Sequence, residues 1–271
     1  MKIENVIKKF NQEEIYLCPK CLSESHIEGI SLICNENHRY DFSKKGYIHL
    51  INNYKPTKYS EDLFKARSEV FSNSFYENVL KNIQNLIEKY AKDVVLDIGC
   101  GEGYYIKKLK TVFPEKYFYG LDNSKDAIEL AVKEDKLNPY VVANLANLPF
   151  KDGSVSCILN ILTPANYEEF FRVLGDDGYL IKIIPNTNYL REIRELIGSK
   201  EYTNSDTVKL IEENCTVVER ITVSDTFQLN KEQAASFLKM TPLTFSKEIT
   251  DSDINQLREI TIDLELLVCK K

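Results

Sequence analysis

Val94, Val95, Leu96 and Ile98 are apolar and broken only by Asp97, the pattern of a strand buried on both faces within a parallel sheet. Gly99, Gly101 and Gly103 follow as a turn, and a helical pattern starts over 104–109. Apolar runs at 117–121, 140–143, 155–161 and 179–184 predict further strands, with the last pair at 215–223 and 261–269. Residues 261–269 alternate, with Ile260, Ile262, Leu264, Leu266 and Val268 on one face, which predicts a partly exposed strand. Helical patterns at 124–133, 166–174, 189–197 and 231–240 lie between these runs, and 176–178 read as a turn. Residues 60–91 contain no Gly or Pro and show helical spacing in two stretches, with Ser74 as the expected cap of the second. A short amphipathic repeat (Ile3, Val6, Ile7, Phe10) opens the chain. Strands alternating with helices predict an α/β fold with a doubly wound sheet.

The chain has 271 residues, 43% hydrophobic and 28% charged, which suits one α/β domain plus a small module. Its start lacks an apolar signal core and no run approaches a membrane span, so the expected location is the cytoplasm, away from any membrane. There the seven cysteines stay reduced, and their spacing is better read for metal. Cys18, Cys21, Cys34 and His38 form C-x2-C-x12-C-x3-H. Two thiolates on one tight turn and a Cys/His pair on a second can close a tetrahedron around Zn²⁺, a structural site with no open position. A redox pair at Cys18 and Cys21 is the alternative; His26, a possible substitute ligand, reads as solvent-facing from its place between the two knuckles, and Cys100, Cys157, Cys215 and Cys269 as buried inert thiols.

The net charge of −6 lowers the odds of nucleic-acid binding, but it is unevenly shared. Residues 1–58 carry nine basic and seven acidic residues, against 26 and 34 in the remainder. Arg39, Lys44, Lys45, Lys55, Lys58, Lys65 and Arg67 are interleaved with Tyr40, Phe42, Tyr47, Tyr54 and Tyr59. Such a run can stack bases and hold phosphates, or the aromatics can form a mini-core around the zinc while the lysines are solvated.

The glycine stretch reads Asp97-x-Gly99-x-Gly101-x-Gly103, with Tyr104 where a dinucleotide fingerprint needs its third glycine. An acidic residue at the loop's start would repel a pyrophosphate but suits the cationic amino-acid end of S-adenosylmethionine. Asp97 is therefore expected to orient that end, with Gly99 and Gly101 allowing backbone approach. Asp122, about 20 residues beyond the glycines, is expected on the ribose hydroxyls, with helix capping as the alternative. Asn144 and Leu145 are expected at the adenine edge and face, Asn144 with loop capping as its alternative. Asn160 and Thr163, beyond the fourth strand, are candidates for holding the methyl acceptor; no general base stands out. Tyr76 can reach the cofactor mouth, although packing is the commoner fate of such a residue.

Cys18-Pro-Lys-Cys21, Cys34 to His38, Lys45-Gly-Tyr47, Ala66-Arg67, the glycine stretch, Gly120-Leu-Asp122, Leu148-Pro-Phe150 and Lys239-Met-Thr-Pro242 together resemble the bacterial 23S rRNA (guanine-N1)-methyltransferases, the RlmA family, over almost the whole length. The resemblance implies a class I (Rossmann-like) methyltransferase domain and an N-terminal zinc module that helps recognise an rRNA hairpin. It implies Cys18, Cys21, Cys34 and His38 as zinc ligands, and Tyr76, Gly101, Glu102 and Tyr189 as cofactor contacts. Two positions depart from it: relatives can carry His at Tyr189, and Tyr-Ala-Pro at Leu162-Thr-Pro164. The expected organisation is a zinc-binding RNA-recognition module at 1–59, connecting helices at 60–92 and a methyltransferase domain at 93–271. The expected activity is methyl transfer from S-adenosylmethionine to N1 of a guanine in a 23S rRNA hairpin loop, and a homodimer is compatible with it. The alternative is a methyltransferase of a small molecule or protein with the zinc module as a lid.

Overall fold

The amphipathic repeat folds as α1 (Ile3–Phe10), which buries Val6 and Phe10 and carries Glu4 in its first turn and Lys8 and Lys9 in its last, the order the helix dipole favours. The computed structural model describes residues 2–10, 15–52, 54, 61–199 and 201–271. Lys55, Lys58, Tyr59 and the expected boundary at residues 59 and 60 lie outside the described residues. Strands β1 (Ser25–Glu28), β2 (Ser31–Cys34) and β3 (Arg39–Asp41) pair antiparallel into a ribbon of their own. The next strand, β4 (Tyr47–His49), leaves that ribbon and joins the main sheet.

Helices α2 (Glu61–Ser72) and α3 (Glu77–Tyr90) fill the connecting segment. Ser74 does not cap α3. It sits at φ +64° in the turn between the helices, and Tyr76 takes the N-cap position. The core follows as β5 (Val94–Ile98), α4 (Tyr104–Val112), β6 (Tyr117–Asp122), α5 (Lys125–Glu134), β7 (Tyr140–Val142), β8 (Val155–Ile161), α6 (Tyr167–Val173) and β9 (Leu174–Pro185). It closes with α7 (Arg191–Leu196), α8 (Ser205–Asn214), β10 (Thr216–Gln228), α9 (Lys231–Met240), α10 (Asp251–Gln256) and β11 (Glu259–Lys270).

The main sheet runs β10-β11-β9-β8-β5-β6-β7-β4, parallel from β9 to β4 and antiparallel at the β11 and β10 end. Helices α3, α4, α5 and α9 pack on one face with Val95; α1, α6 and α8 pack on the other with Val94, Leu96 and Ile98. The chain steps from β5 to β6 on one side and to β8 on the other, so the sheet's topological switch point lies at the end of β5. Among the described residues no helix is long and apolar enough to cross a membrane.

Three local readings are corrected. The alternating strand β11 is not partly exposed: it lies between β10 and β9 and is buried almost throughout. Its polar face is covered by protein groups in place of water. Glu192 Oε2 accepts from Thr261 N at 2.9 Å, Asp263 Oδ2 accepts from Asn188 N at 3.0 Å, and Glu265 pairs with Arg220 at 3.1 Å. The exposed edge is β10. Residues 176–178 belong to β9, which starts at Leu174 and shifts register opposite Val155 and Cys157. The short run Tyr47–His49 carries too little pattern to announce a strand, and β4 gains its place by pairing with β7, Tyr47 opposite Tyr140.

Candidate active site and metal centre

The buried strand β5 stops at Ile98 because the next residues are glycines that turn the chain. Gly99 has φ +79°, and a Cβ there would lie 2.6 Å from Thr163 Cγ2, so the loop and the β8 terminus touch only because that side chain is missing. Gly101 has φ +56°, and a Cβ there would meet Phe64 and Arg67 at 3.7–3.9 Å, so its backbone conformation rather than crowding is what favours glycine. Beyond the strand ends lies a cavity of about 830 Å³, within the range of small-molecule sites. The structure brings Tyr76, Gly99, Gly101, Asp122, Leu145, Thr163 and Tyr189 to its wall. It leaves Asp97, Glu102, Asn144 and Asn160 off that lining.

Asp97 lies beneath the loop, 1% exposed, and neither carboxylate oxygen has a hydrogen-bond partner among the described residues. Burial, then the charges of Asp122 and Glu102, push its pKa up to about 8. An orphaned buried acid is costly and signals a missing donor. Glu102 is also buried, and Arg67 Nε stands 3.5 Å from its Oε2. Burial raises Glu102 against the lowering effect of Arg67. Asp122 Oδ2 accepts from Gly101 N at 2.9 Å and its Oδ1 from Ser124 N at 2.8 Å. Helix α5 is capped by Ser124 itself, whose Oγ accepts from Ala127 N at 3.2 Å, so capping does not account for Asp122. Three carboxylates beside one guanidinium leave this end of the cavity negative.

Asn144 is exposed and its Oδ1 accepts from Ala146 N at 3.0 Å, which is loop capping. Asn160 is fully buried behind the acceptor end. Its Nδ2 donates to Ile98 O at 3.1 Å and Pro164 O at 3.3 Å, and its Oδ1 accepts from Lys182 Nζ, which also donates to Thr163 O. The side chain ties the ends of β5 and β8 together and has no surface left for a base. Thr163 stands at the wall.

Several wall residues escaped the reading of the sequence. Arg67 was read only as one cation of the basic run and as part of a motif, and Thr241-Pro242 only as part of another; behind the wall, Lys182 is the one charge in the apolar run 179–184, a signal that could have been followed. Tyr105 stands two residues after the last glycine, Gly103. Arg194, Glu201 and Tyr202 carry no recognisable pattern and reach the cavity only through the tertiary fold.

In the ribbon, the ligand atoms of Cys18, Cys21, Cys34 and His38 lie within 4.8 Å of one another. Cys21 Sγ and Cys34 Sγ are 3.7 Å apart, and His38 Nδ1 is 3.6 Å from Cys18 Sγ and 3.4 Å from Cys34 Sγ. Tetrahedral zinc with Zn–S of about 2.3 Å sets S···S at about 3.8 Å and S···N at about 3.6 Å, so the donor set fits that ion. Lys20 N and His38 N donate to Cys18 and Cys34 sulfurs at 3.4 and 3.3 Å, which stabilises thiolates. His26 lies on β1, with its side chain half exposed. The ribbon docks on the loop after β7: Leu17 N donates to Pro149 O at 3.1 Å, and Asn147 Nδ2 to Pro19 O at 2.9 Å. Of the aromatics beside it, Phe42 packs on Phe10 with centroids 4.9 Å apart, and buried Tyr47 donates to Glu129 at 3.0 Å. These rings are core, and Lys45 is paired with Glu129 at 2.7 Å. Arg39 and Lys44 remain exposed.

Residues 96–181 match the family described as methyltransferase domain, and residues 16–55 match the RlmA N-terminal zinc ribbon. The chain is 31% identical to Bacillus subtilis (strain 168) YxjB, named as a candidate 23S rRNA (guanine-N1)-methyltransferase, over 95% of this chain and 97% of that one. It is 23% identical to the 23S rRNA (guanine(748)-N1)-methyltransferase of Streptomyces fradiae, over 93% and 95%. Among solved structures, a chain of the Haloferax volcanii complex between the Trm112 methyltransferase activator and a methyltransferase gives a TM-score of 0.51 at 17% identity, covering 78% of this chain and 96% of that one. A geranyl diphosphate methyltransferase bound to S-adenosylmethionine gives 0.50 at 12% identity, over 75% and 89%. At such identities the likeness is one of fold.

Proposed function

The chain belongs to the RlmA family of 23S rRNA (guanine-N1)-methyltransferases and is an S-adenosylmethionine-dependent enzyme with a zinc ribbon, and from that premise we propose that its target is a guanine in a hairpin loop of 23S rRNA. The observation that carries the reading is the buried, unpartnered Asp97 carboxylate beneath a glycine loop, in one chain with the Cys/His cluster.

The donor set fits the cofactor from end to end. Asp97 and Glu102 supply the negative charge for its ammonium group, and Arg67, whose guanidinium is at the wall, supplies a partner for its carboxylate. The Tyr76 and Tyr189 hydroxyls stand beside them. Asp122, held by two backbone N–H groups, keeps lone pairs for ribose hydroxyls, and Leu145 and Ala143 offer apolar surface to the adenine. When bound, S-adenosylmethionine supplies an electrophilic methyl group on a sulfonium. The protein's part is alignment and exclusion of water, because the sulfonium is already reactive. Thr163 and the 160–164 segment, fixed by Asn160 and Lys182, face the acceptor. Cys18, Cys21, Cys34 and His38 hold a structural zinc, and the ribbon with its exposed Arg39 and Lys44 contributes to RNA recognition within a 1–59 module, joined by 60–92 to a catalytic domain at 93–271.

Primer extension on rRNA from a strain lacking the gene tests the assignment. One reverse-transcriptase stop in large-subunit RNA should vanish and return on complementation, whereas an unchanged set of stops overturns the rRNA target.

A further inference from the structure

Resting on the guanine-N1 reading, we propose that Glu201 is a catalytic residue that binds the Watson–Crick edge of the acceptor guanine and receives its N1 proton, in an acceptor subsite at the end of the cavity lined by Glu201, Arg194 and Tyr202. Among the described residues two carboxylates line the cavity, Asp122 and Glu201. Asp122 accepts from Gly101 N and Ser124 N, and its remaining lone pairs are assigned to the cofactor's ribose. Glu201 is exposed and makes no hydrogen bond or ion pair among the described residues. It follows α7, on the side of the sheet where β8 and β9 end at Ile161 and Pro185, and ligands of such sheets bind beyond those strand ends.

The rest of that end is built to take a flat base. Arg194 donates through both terminal nitrogens to Tyr189 O and Thr187 O, and its guanidinium lies 5.1 Å from the Tyr202 ring centroid, which fixes the ring beside Glu201. Thr241, Pro242 and Leu243 also line the cavity. None of these groups is needed by the cofactor contacts above.

Guanine presents N1–H and N2–H₂ side by side, two donors that match the two oxygens of one carboxylate. Adenine and cytosine put a ring acceptor beside their amino group, and uracil flanks one N–H with two carbonyls. A carboxylate repels each of these edges, so Glu201 selects guanine as well as serving it. The base must leave its stack to enter the cavity, as bases do in enzymes that modify them. In the transfer, the N1–H bond breaks and its proton passes to a Glu201 oxygen. The N1 lone pair forms the bond to the methyl carbon, and the methyl–sulfur bond breaks with its electron pair left on sulfur. The proton then passes to solvent.

The test uses the full-length, zinc-loaded protein and a transcribed hairpin carrying the guanine that the wild type methylates. Glu201→Gln should lower kcat by about 100-fold or more, the scale of a lost general base, and Glu201→Asp should fall between. Both variants should bind S-adenosylmethionine within about twofold of wild type by calorimetry. With S-adenosylhomocysteine bound, replacing the target guanine by inosine, which lacks the N2 amino group, should weaken RNA binding about tenfold or more for wild type and far less for Glu201→Gln, as expected for one lost charge-assisted hydrogen bond. A Glu201→Gln enzyme within threefold of the wild-type rate, an equal inosine penalty in both proteins, or loss of S-adenosylmethionine binding in the variants each overturns the assignment. Failure of the underlying reading looks different: the wild type itself then puts no methyl on N1 of any large-subunit guanine.

Discussion

The hydroxyls of Tyr76 and Tyr189 lie 2.8 Å apart in the cavity wall, one from the N-cap of α3 and the other from the turn after β9. Burial raises both phenols, so both stay protonated at neutral pH. One hydroxyl must donate to the other, which leaves a single phenolic proton to be directed at a ligand. Tyr76→Phe and Tyr189→Phe should each weaken S-adenosylmethionine binding about threefold to tenfold, the worth of one hydrogen bond. Because the pair acts as a unit, the double variant should be scarcely worse than the weaker single one. Calorimetry over the four proteins checks this, and strictly additive losses would show that the two hydroxyls act independently.

Asp97 sets cofactor affinity against stability. Its pKa stands at about 8 in the folded chain, above its unfolded value of 3.8, through burial and then the charges of Asp122 and Glu102. Between those two values the folded protein holds a proton that the unfolded chain has released, so this group makes stability fall as pH rises through the window, with the full penalty present above pH 8. Asp97→Asn removes the penalty. The variant should gain roughly 10 °C or more in Tm over wild type at pH 8 and only a few degrees at pH 5. Wild-type affinity for S-adenosylmethionine should improve from pH 6 to 7.5 as the carboxylate ionises against the ligand's ammonium, whereas the variant binds at least tenfold more weakly and without that slope. Scanning calorimetry and titration at the two pH values check both halves, and a destabilised variant at pH 8 would contradict the account.

What could be read from the sequence was whatever rests on local pattern. The run from Val94 to Ile98, the glycines and the C-x2-C-x12-C-x3-H spacing each carry their structure within a few residues, so β5, its turn and the metal cluster are where the pattern puts them. Strand β4 was not legible, since Tyr47–His49 becomes a strand only by meeting Tyr140–Val142. The alternation of β11 was read correctly as a pattern and wrongly as exposure, because its polar face meets Glu192, Asn188 and Arg220 in place of water. Asn160 was placed at the right strand end but facing the wrong way, since only the buried Lys182 behind it shows where its amide points. Glu201 and Tyr202 share the cavity with residues more than a hundred positions away, a relation no local spacing encodes.

Lys182 is 4% exposed, has no carboxylate among its hydrogen-bond partners in the described residues, and is pulled down to about 8 by burial. Such a group costs desolvation and repays it by holding Asn160 Oδ1 and Thr163 O. In Lys182→Met the relief of the buried charge offsets the two acceptors left unsatisfied, each worth about 1–3 kcal/mol. Stability should therefore change little, within about 3 °C in Tm. The acceptor segment, in contrast, loses its anchor. The expected result is a kcat at least tenfold lower, because small misplacement of reacting groups is expensive, with S-adenosylmethionine affinity within about threefold. Single-turnover kinetics beside calorimetry separate the two, and an unchanged kcat would show that the 160–164 segment holds its geometry without the tether.

The zinc cluster should be felt in the cofactor cavity as well as in RNA binding. The ribbon is fastened to the loop after β7 through Leu17 N to Pro149 O, Lys151 N to Ile15 O at 2.8 Å and Asn147 to Pro19 O. That same loop presents Leu145 to the cavity. A ribbon this small depends on its metal for its fold, so stripping zinc with a chelator, or replacing Cys34 by Ser, releases the fastening as well as the ribbon. The chelated protein should lose affinity for the 23S hairpin by at least tenfold and for S-adenosylmethionine by a smaller factor, about twofold to fivefold, and both should return when zinc is restored. Amide exchange in residues 147–151 should quicken in parallel, since those N–H and C=O groups lose their partners. Unchanged cofactor affinity together with unchanged exchange in that loop would show that the ribbon and the catalytic sheet are energetically independent despite their contacts.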